Sequence, residues 1–287
     1  MKYLNFSLLL LSSLALSGVV AKAIPMVDLG TASSFTILAG SKITDAGGVS
    51  TTTGDVGLSP ASGFFIGLTA AQAGGTIYAT DAAGPLGSAN NPALLTTAKN
   101  DLTAAYIDAA GRSATTTYSP IFDLAGLTLS SGVYNDPSSF GLTGTLTLDA
   151  GGDPNAVWIF QTGSTLTTAS SSKVVFKDGV GSSCNVFWQI GSSATIGTYS
   201  DFVGNIMADQ SIALDAYATL DGSALARIGA VTLDHNTISM SDCGVPSTVP
   251  DNASTLLLLG SGLVVLLLFK GRFFSAALLL GSGRAIC

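Results

Sequence analysis

The sequence predicts an all-β fold, a β-solenoid with three short strands in each coil. The first observation is a repeat, because Phe202, Leu220 and Ile238 follow one another at intervals of 18 residues. A period near this length is typical of coils that stack on one another. The second is composition: the 287 residues include 34 Gly and 30 Thr, which favours short strands joined by tight turns. The third is the absence of Glu from a chain that is only 10% charged, which disfavours helical bundles.

Alternation within the repeat predicts which side chains face inward and which face solvent. Phe202, Leu220 and Ile238 are predicted to form one inward column. Their outward neighbours form three rows across successive coils: Tyr199, Tyr217 and His235; Asp201, Thr219 and Thr237; Val203, Asp221 and Ser239. A second strand column is predicted to point Thr195, Ala213 and Thr232 outward, beside Gly197, Asp215 and Asp234. Stacked coils lie ~4.8 Å apart, so each row is regularly spaced.

The third strand column needs a cover. Residues 156–160 and 186–190 are apolar on both sides of the strand, and a strand buried on both faces must pack against another element. A helix at about 92–111 supplies that cover, since Pro92 suits its start and Gly111 its end. Its apolar residues recur at helical spacing: Leu95, Ala98, Leu102, Ala105 and Tyr106.

The chain is predicted to divide into three parts. Residues 1–23 are typical of a secretory signal, with Lys2 before an apolar core and Ala21-Lys22-Ala23 as the cleavage site; an uncleaved N-terminal anchor is the alternative. Residues 24–245 are predicted to form the solenoid domain. Residues 246–287 are predicted to form a tail whose apolar run at 255–269 extends toward the ~20 residues of a transmembrane helix. Basic residues after the run predict that the domain lies outside the membrane.

Charge and cysteine content limit the function classes. Residues 24–250 contain 17 Asp against 6 Lys or Arg, a net charge of about −11. Nucleic acids are therefore not predicted partners, because binding their backbones needs clustered positive charge. Cys184 and Cys243 lie in the predicted domain, where a disulfide is permitted outside the cytoplasm. Their spacing leaves open whether they pair or remain two buried thiols.

Neither catalysis nor a cofactor is predicted. The enzymatic alternative, a β-helix polysaccharide lyase or hydrolase, would depend on Asp215 and Asp234, which stack 19 residues apart beside His235. Both carboxylates fall at predicted strand corners, where Asp favours turns. Asp45 and Asp55 are the alternative for a Ca²⁺ site, but they too lie near Gly-rich turns. No metal site is predicted.

Several long blocks of the sequence resemble one known family, the DUF3494 ice-binding proteins. The blocks begin with Leu29-Gly30-Thr31-Ala32-Ser33-Ser34-Phe35 and Gly54-Asp55-Val56-Gly57-Leu58-Ser59-Pro60. Three further blocks cover residues 149–161, 184–195 and 224–234. The resemblance spans nearly the whole predicted domain. It implies a right-handed, triangular, discontinuous β-solenoid with one α-helix alongside, and it implies ice as the ligand.

The resemblance also directs attention to flat Thr-bearing faces, because ordered hydroxyl and methyl groups can align water into an ice-like layer. Two such faces are predicted, and their candidate ice-contacting residues are Thr219, Thr237 and Ser239 on one and Thr195 and Thr232 on the other. Some relatives carry a Thr-Ala/Gly-x-Thr/Asn pattern where this chain has Ala216-Tyr217-Ala218-Thr219, so the first Thr is missing and Tyr stands in place of the small residue. The bulky residues Tyr199, Tyr217 and His235 therefore favour an alternative, a structural or adhesive matrix solenoid without ice activity.

The tail resembles a second family of signals. Val249-Pro250-Asp251 followed by an apolar run is similar to the short Val-Pro-Asp form of PEP-CTERM sorting tails, although the chain continues past the basic residues to Cys287. This resemblance implies processing by an exosortase-type enzyme and a bacterial product that is secreted or held at the cell surface, transiently anchored by its C-terminal helix. An extracellular polysaccharide is a further expected partner.

Overall fold

The computed structural model describes residues 24–240, which wind into a β-solenoid of triangular section with one helix along one side. The predicted fold class is confirmed. The predicted signal and tail lie outside the described residues, so the boundaries 1–23, 24–245 and 246–287 stay predictions. No helix within residues 24–240 is long and apolar enough to cross a bilayer.

The elements are short, as expected for a chain rich in Gly. The strands in chain order are β1 (Phe35–Ala39), β2 (Ile43–Asp45), β3 (Thr51–Thr52), β4 (Asp55–Leu58), β5 (Ile77–Ala79), β6 (Ala89–Asn90), β7 (Thr116–Thr117), β8 (Phe122–Asp123), β9 (Thr128–Ser130), β10 (Gly132–Asp136), β11 (Phe140–Leu142), β12 (Thr145–Asp149), β13 (Trp158–Thr162), β14 (Leu166–Thr168), β15 (Lys173–Phe176), β16 (Val186–Ile190), β17 (Ala194–Ile196), β18 (Asp201–Val203), β19 (Asn205–Ala208), β20 (Ile212–Leu214), β21 (Thr219–Asp221), β22 (Ala224–Ala226), β23 (Val231–Leu233) and β24 (Thr237–Ser239). The helix α1 spans Pro92–Gly111, and 3₁₀ turns occupy Gly30–Ser34, Gly63–Phe65, Lys177–Gly179 and Ser183–Asn185.

Three parallel sheets form the sides of the triangle. Sheet A has ten strands in the order β6-β5-β4-β1-β22-β19-β16-β13-β10-β7. Sheet B has seven, β2-β23-β20-β17-β14-β11-β8, and sheet C has seven, β3-β24-β21-β18-β15-β12-β9. Each complete coil gives one strand to each sheet, and every pairing between neighbouring strands is parallel, as a solenoid requires.

The coils do not stack in sequence order. The N-terminal coil, β1–β3, lies on the last coil, β22–β24, with Ile37 opposite Ala224, Ile43 opposite Val231 and Thr51 opposite Thr237. The C-terminal coil is thereby sandwiched between two others. Its three strand edges are paired instead of exposed, which removes a site where another chain could add a strand.

Inside the triangle, large apolar side chains form columns along the stack. Phe202 pairs with Leu220, and Leu220 with Ile238, and all three are buried. This inward column is confirmed. A neighbouring aromatic stack runs through Trp188, whose ring lies 4.0 Å from that of Phe160 and 4.8 Å from that of Phe202. Parallel in-register stacking makes such columns the main source of apolar burial.

The central strands of sheet A are buried on both sides, and helix α1 covers their outer surface. The side chains of Ile159, Phe187 and Met207 face the helix and form a second core with it. Asn91 caps the helix, since its Oδ1 accepts a hydrogen bond from the Leu94 amide, and Pro92 occupies the first turn. The predicted helix and its covering role are confirmed; the helical residues buried against sheet A are Leu95, Ala98, Leu102, Ala105 and Ala109.

Polar contacts also fix the helix to the solenoid. The Lys99 ammonium donates to the carbonyls of Ala226 at 2.8 Å and Arg227 at 2.5 Å. Burial, with the nearby Arg227 charge, lowers the pKa of Lys99 to about 8. At the other end, the Gln161 side-chain amide donates to the Ala109 carbonyl at 2.7 Å, which satisfies a carbonyl of the last helical turn.

Candidate functional site

The outward side of sheet B, called here the B face, carries one uninterrupted row of small residues. Register places these residues directly opposite one another in successive strands: Gly141, Thr167, Thr195, Ala213, Thr232 and Thr44. Thr167 and Thr232 are exposed, and Thr195 and Ala213 are half-buried. The row therefore presents four threonines and two smaller residues at coil spacing, ~4.8 Å apart.

The hydroxyls of this row are available to an external ligand. None of the four Thr hydroxyls bonds to another residue of the described part of the chain. The flanking hydroxyls differ, because the Oγ of Ser193 accepts from the Ser211 amide and the Oγ of Ser211 accepts from the Ala230 amide. The face thus combines internally bonded hydroxyls at its edge with free ones along its centre. A β-branched side chain has a restricted χ1, so the row is also rigid.

Two of the row's threonines were not predicted from the sequence. Thr44 belongs to the N-terminal coil and reaches the B face only because that coil stacks on the last one. Thr167 lies 28 residues before Thr195, so an 18-residue period does not find it. The sequence signal is weak, because Leu166-Thr167-Thr168 does not alternate in polarity, although the structure buries Leu166 and Thr168 and exposes Thr167. The structure places Thr44 and Thr167 in the same row as Thr195 and Thr232, so all four belong to one surface.

The outward side of sheet C, called here the C face, is charged. Thr219 and Thr237 are opposite one another there and exposed, as predicted, and Ser239 lies opposite Asp221 on the neighbouring row. The same face holds an ion pair between Lys173 and Asp201 at 2.5 Å. Thr219 donates its hydroxyl hydrogen bond to Asp201 at 3.0 Å, so that hydroxyl is engaged. The hydrogen bond from Lys173 holds the pKa of Asp201 below its ordinary value, which keeps the carboxylate charged.

The bulky row lies in a different place from that predicted. Tyr199, Tyr217 and His235, called here the corner ladder, occupy the corner between sheets B and C and not the strands of the C face. All three have left-handed backbone, with φ of 57°, 60° and 55°. Strand β21 begins only at Thr219, so the residues before it turn the corner. Sequence alternation alone cannot show this, because a left-handed residue breaks the two-residue period of a strand.

The ladder's rings stack along the solenoid axis. The Tyr199 and Tyr217 rings are 5.1 Å apart and nearly parallel, at 5°. The His235 ring lies 4.8 Å from Tyr217. His235 Nδ1 also lies 2.6 Å from a carboxylate oxygen of Asp234. The rings therefore contact one another at the corner. The B-face row lies on the strands that precede this corner.

The acidic residues considered for catalysis or metal binding serve local structure. Asp215 and Asp234 follow β20 and β23 at corners, as predicted. Asp45 accepts hydrogen bonds from the Ser50 amide and hydroxyl and from Gln72. Asp55 accepts one from the Thr76 amide. Between residues 24 and 240, no group of three or more His, Cys, Asp or Glu side chains is arranged to hold a metal ion.

Cys184 is disulfide-bonded. The chain's two other cysteines, Cys243 and Cys287, lie outside the described residues. Sequence reasoning left open whether Cys184 is a thiol or part of a disulfide, and the structure decides for the disulfide.

Comparison with known proteins gives one consistent family. A family model described as Ice-binding-like matches residues 37–239, which spans all three sheets. An ice-binding protein of Nostoc sp. (strain HG1) is 45% identical over 260 residues, covering 88% of this chain and 90% of that protein. The resemblance to ice-binding proteins stated from the sequence is confirmed.

Solved structures agree with this similarity. The crystal structure of an ice binding protein from an Antarctic biological consortium is 39% identical, with a TM-score of 0.66, and covers 76% of this chain and 92% of its own. That of an ice-binding protein from the Antarctic ascomycete Antarctomyces psychrotrophicus is 36% identical, with a TM-score of 0.65, covering 76% of this chain and 100% of its own. The triangular solenoid is therefore shared with these proteins.

Proposed function

The chain belongs to the ice-binding-like family, and we propose that it is an antifreeze protein that adsorbs to ice through its B face and inhibits ice recrystallisation. The observation that carries the choice of face is the row from Gly141 to Thr44, in which four Thr hydroxyls lie free at coil spacing and no side chain is charged. Water molecules bound to such a rigid row are already ordered before the protein contacts ice. Adsorption therefore loses less water and side-chain entropy than it would at a surface of flexible side chains.

The C face is the alternative contact surface. Thr219, Thr237 and Ser239 remain candidates there, beside Thr195 and Thr232 on the B face. The Lys173–Asp201 pair argues against the C face, since strongly hydrated charges hold water in an arrangement set by the ions. The hydroxyl of Thr219 is also occupied by Asp201. Both features favour the B face as the main contact.

The experiment is a measurement of thermal hysteresis and ice recrystallisation on the purified protein and two variants. Thr232→Tyr places a large side chain in the middle of the B face, and Thr219→Tyr does the same on the C face. Both side chains are exposed, so each change should alter stability by less than ~0.5 kcal/mol. Loss of hysteresis only with Thr232→Tyr supports the proposal. Loss only with Thr219→Tyr moves the site to the C face, and an inactive parent protein rejects ice binding.

A second candidate function is a structural or adhesive role in an extracellular matrix, without ice activity. The exposed corner ladder favours it, since Tyr199 is 59% and Tyr217 47% exposed. A contiguous patch of exposed aromatic side chains is more typical of a binding site than of a surface that contacts only solvent. Retention of the protein on an extracellular polysaccharide, together with absence of recrystallisation inhibition, is the result that selects this function.

Either function places the protein outside the cell. We propose that residues 1–23 direct export and that an exosortase-type enzyme removes the tail after transient membrane anchoring, which leaves the domain secreted or at the bacterial cell surface. The supporting features are the Ala21-Lys22-Ala23 site and the Val249-Pro250-Asp251 motif. Mass spectrometry of the native protein should find an N-terminus near Ile24 and no peptides beyond about Thr255. A native protein that retains Cys287 contradicts the cleavage.

The proposal is of a binding protein and not an enzyme. His235 and Asp234 form a pair that resembles part of a catalytic site, but both are half-buried residues at a corner of the solenoid, and no third catalytic group among residues 24–240 is assigned to them. The acidic charge of residues 24–250 also argues against nucleic acid as a partner.

A further inference from the structure

The corner ladder ends abruptly at one side. Ser171 occupies the corner of the coil next to Tyr199, with the same left-handed backbone, at φ 61°. The two corners are in register, because the Ser171 amide donates to the Thr198 carbonyl and the Tyr199 amide donates to the Ala216 carbonyl. Where the next ring of the stack would lie, the chain has only a hydroxymethyl group. One face of the Tyr199 ring contacts Tyr217, and the other faces this place.

The opposite end of the ladder is closed. Gly47 lies so close to His235 that a Cβ on that glycine would be 2.2 Å from His235 Nδ1. The imidazole therefore has backbone against it. Exposure agrees with this asymmetry: Tyr199 is 59% exposed, whereas Tyr217, between two rings, is 47% exposed. The free aromatic face of the ladder is that of Tyr199.

The ladder is costly for the backbone. A left-handed conformation costs an L-residue roughly 1–2 kcal/mol, and glycine or asparagine adopts it more easily. Gly126 and Gly48 show left-handed glycine elsewhere in this chain, with φ of 78° and 69°. Two tyrosines at successive left-handed corners are therefore not required by the turn. Strain of this kind is concentrated at functional sites.

Polar residues belong to the same two coils as the free face of Tyr199. Lys173 and Asp201 lie two residues beyond Ser171 and Tyr199 and join the same two coils through their ion pair. Ser170 and Ser171 are exposed beside them. These groups offer hydroxyl, ammonium and carboxylate partners around an apolar ring surface. Their charges cancel locally, while the acidic domain repels anions.

Building on the second candidate function, we propose that Tyr199 is a saccharide-binding platform, on which one ring of a neutral polysaccharide stacks in the place left open above Ser171. A pyranose has an apolar C–H face that suits an aromatic ring and a rim of hydroxyls that suits the polar groups around it. Its thickness fits one coil spacing, as the rings of the ladder do at 5.1 Å. The site is separate from the B-face row, so ice and saccharide can be held at the same time.

The test uses full-length protein purified in detergent and a panel of neutral pentasaccharides: cellopentaose, maltopentaose and mannopentaose. Binding is followed by NMR shifts of the Tyr199 ring and by titration calorimetry. Tyr199→Asn removes the platform but keeps a residue that tolerates left-handed backbone, and it should weaken binding about tenfold or more, which corresponds to ~1.4 kcal/mol. The matched control, His235→Asn, removes the ring at the closed end and should leave binding unchanged.

A second variant tests the open place itself. Ser171→Tyr supplies the missing ring, extends the ladder and should abolish saccharide binding in a folded protein. The proposal is overturned if none of the three pentasaccharides binds, or if binding survives both Tyr199→Asn and Ser171→Tyr. Concentration-dependent dimerisation that Tyr199→Asn removes would also overturn it, since the platform would then be a contact between two copies of this chain.

Discussion

Thr44 and Thr232 lie directly opposite one another on adjacent strands, although 188 positions separate them in the sequence. Their pairing results from the N-terminal coil, which stacks on the C-terminal coil instead of beginning the solenoid. The row of small residues on the B face is extended by one coil through this contact. The proposed ice-contact surface is thus partly built by the closure of the chain on itself.

The contribution of this N-terminal coil to ice binding can be measured directly. Thr44→Tyr should reduce thermal hysteresis as Thr232→Tyr does, because both side chains belong to one flat row. Thr51→Tyr is the matched control, since Thr51 lies in the same coil but on the C face, opposite Thr237. Equal losses with Thr44→Tyr and Thr51→Tyr would indicate damage to the coil and contradict a specific role for Thr44.

The inward column should dominate stability. Leu220 is fully buried between Phe202 and Ile238, so Leu220→Ala leaves a cavity in the stack and should cost about 2–5 kcal/mol. Chemical denaturation provides the measurement. Thr219→Ala, one residue away and exposed, is the control and should change the free energy of unfolding by less than ~0.5 kcal/mol. Comparable losses in the two variants would contradict the assignment of the column.

Stability should rise with pH above about 8 because of Lys99. Its pKa is about 8 in the folded protein, against an ordinary value of 10.5. Between these values the unfolded chain binds the extra proton, so the free energy of unfolding increases as pH rises, by at most ~1.4 kcal/mol per pH unit. Denaturation between pH 7.5 and 9.5 should show this slope. Lys99→Met should remove it, and an unchanged slope in that variant would contradict the role of Lys99.

The corner ladder should be separable from ice binding. Tyr217→Gly places a residue suited to left-handed backbone at a corner with φ of 60°, and it interrupts the stack of rings. With the B face as the contact surface, thermal hysteresis should not change. If hysteresis increases, Tyr217 obstructs an ice surface that includes the corner, and the restriction of contact to the B-face row is wrong.

The disulfide of Cys184 should involve Cys243. Ser183 donates to Asp221 at 3.1 Å, and Ser223 donates to the Met240 sulfur at 3.7 Å, so Ser183 and Met240 lie along the same edge of the solenoid. Cys243 follows Met240 by three positions. Digestion without reduction should therefore release a peptide of Cys184 linked to one of Cys243. A link to Cys287 is the contrary result.

The elements that depend on local pattern could be predicted from the sequence. The 18-residue interval of Phe202, Leu220 and Ile238 predicts stacked coils, because a repeated apolar residue must be buried at the same place in each coil. The helix at 92–111 follows from apolar spacing between Pro92 and Gly111, and the need for it follows from strands that are apolar on both sides. Thr195 and Thr232 were placed on one face by the same alternation.

The repeat, the inward column, the covering helix and the family resemblance can all be predicted from the sequence, since each depends on residues that are close together or regularly spaced. Long-range packing places β1–β3 on β22–β24 and brings Thr44 and Thr167 into the row. It also sets the corner at which Tyr199, Tyr217 and His235 lie. These features escape prediction because strand pairing across 188 positions leaves no periodic signal. The left-handed backbone of a non-glycine residue is likewise set by the packing of neighbouring coils and not by the residue type.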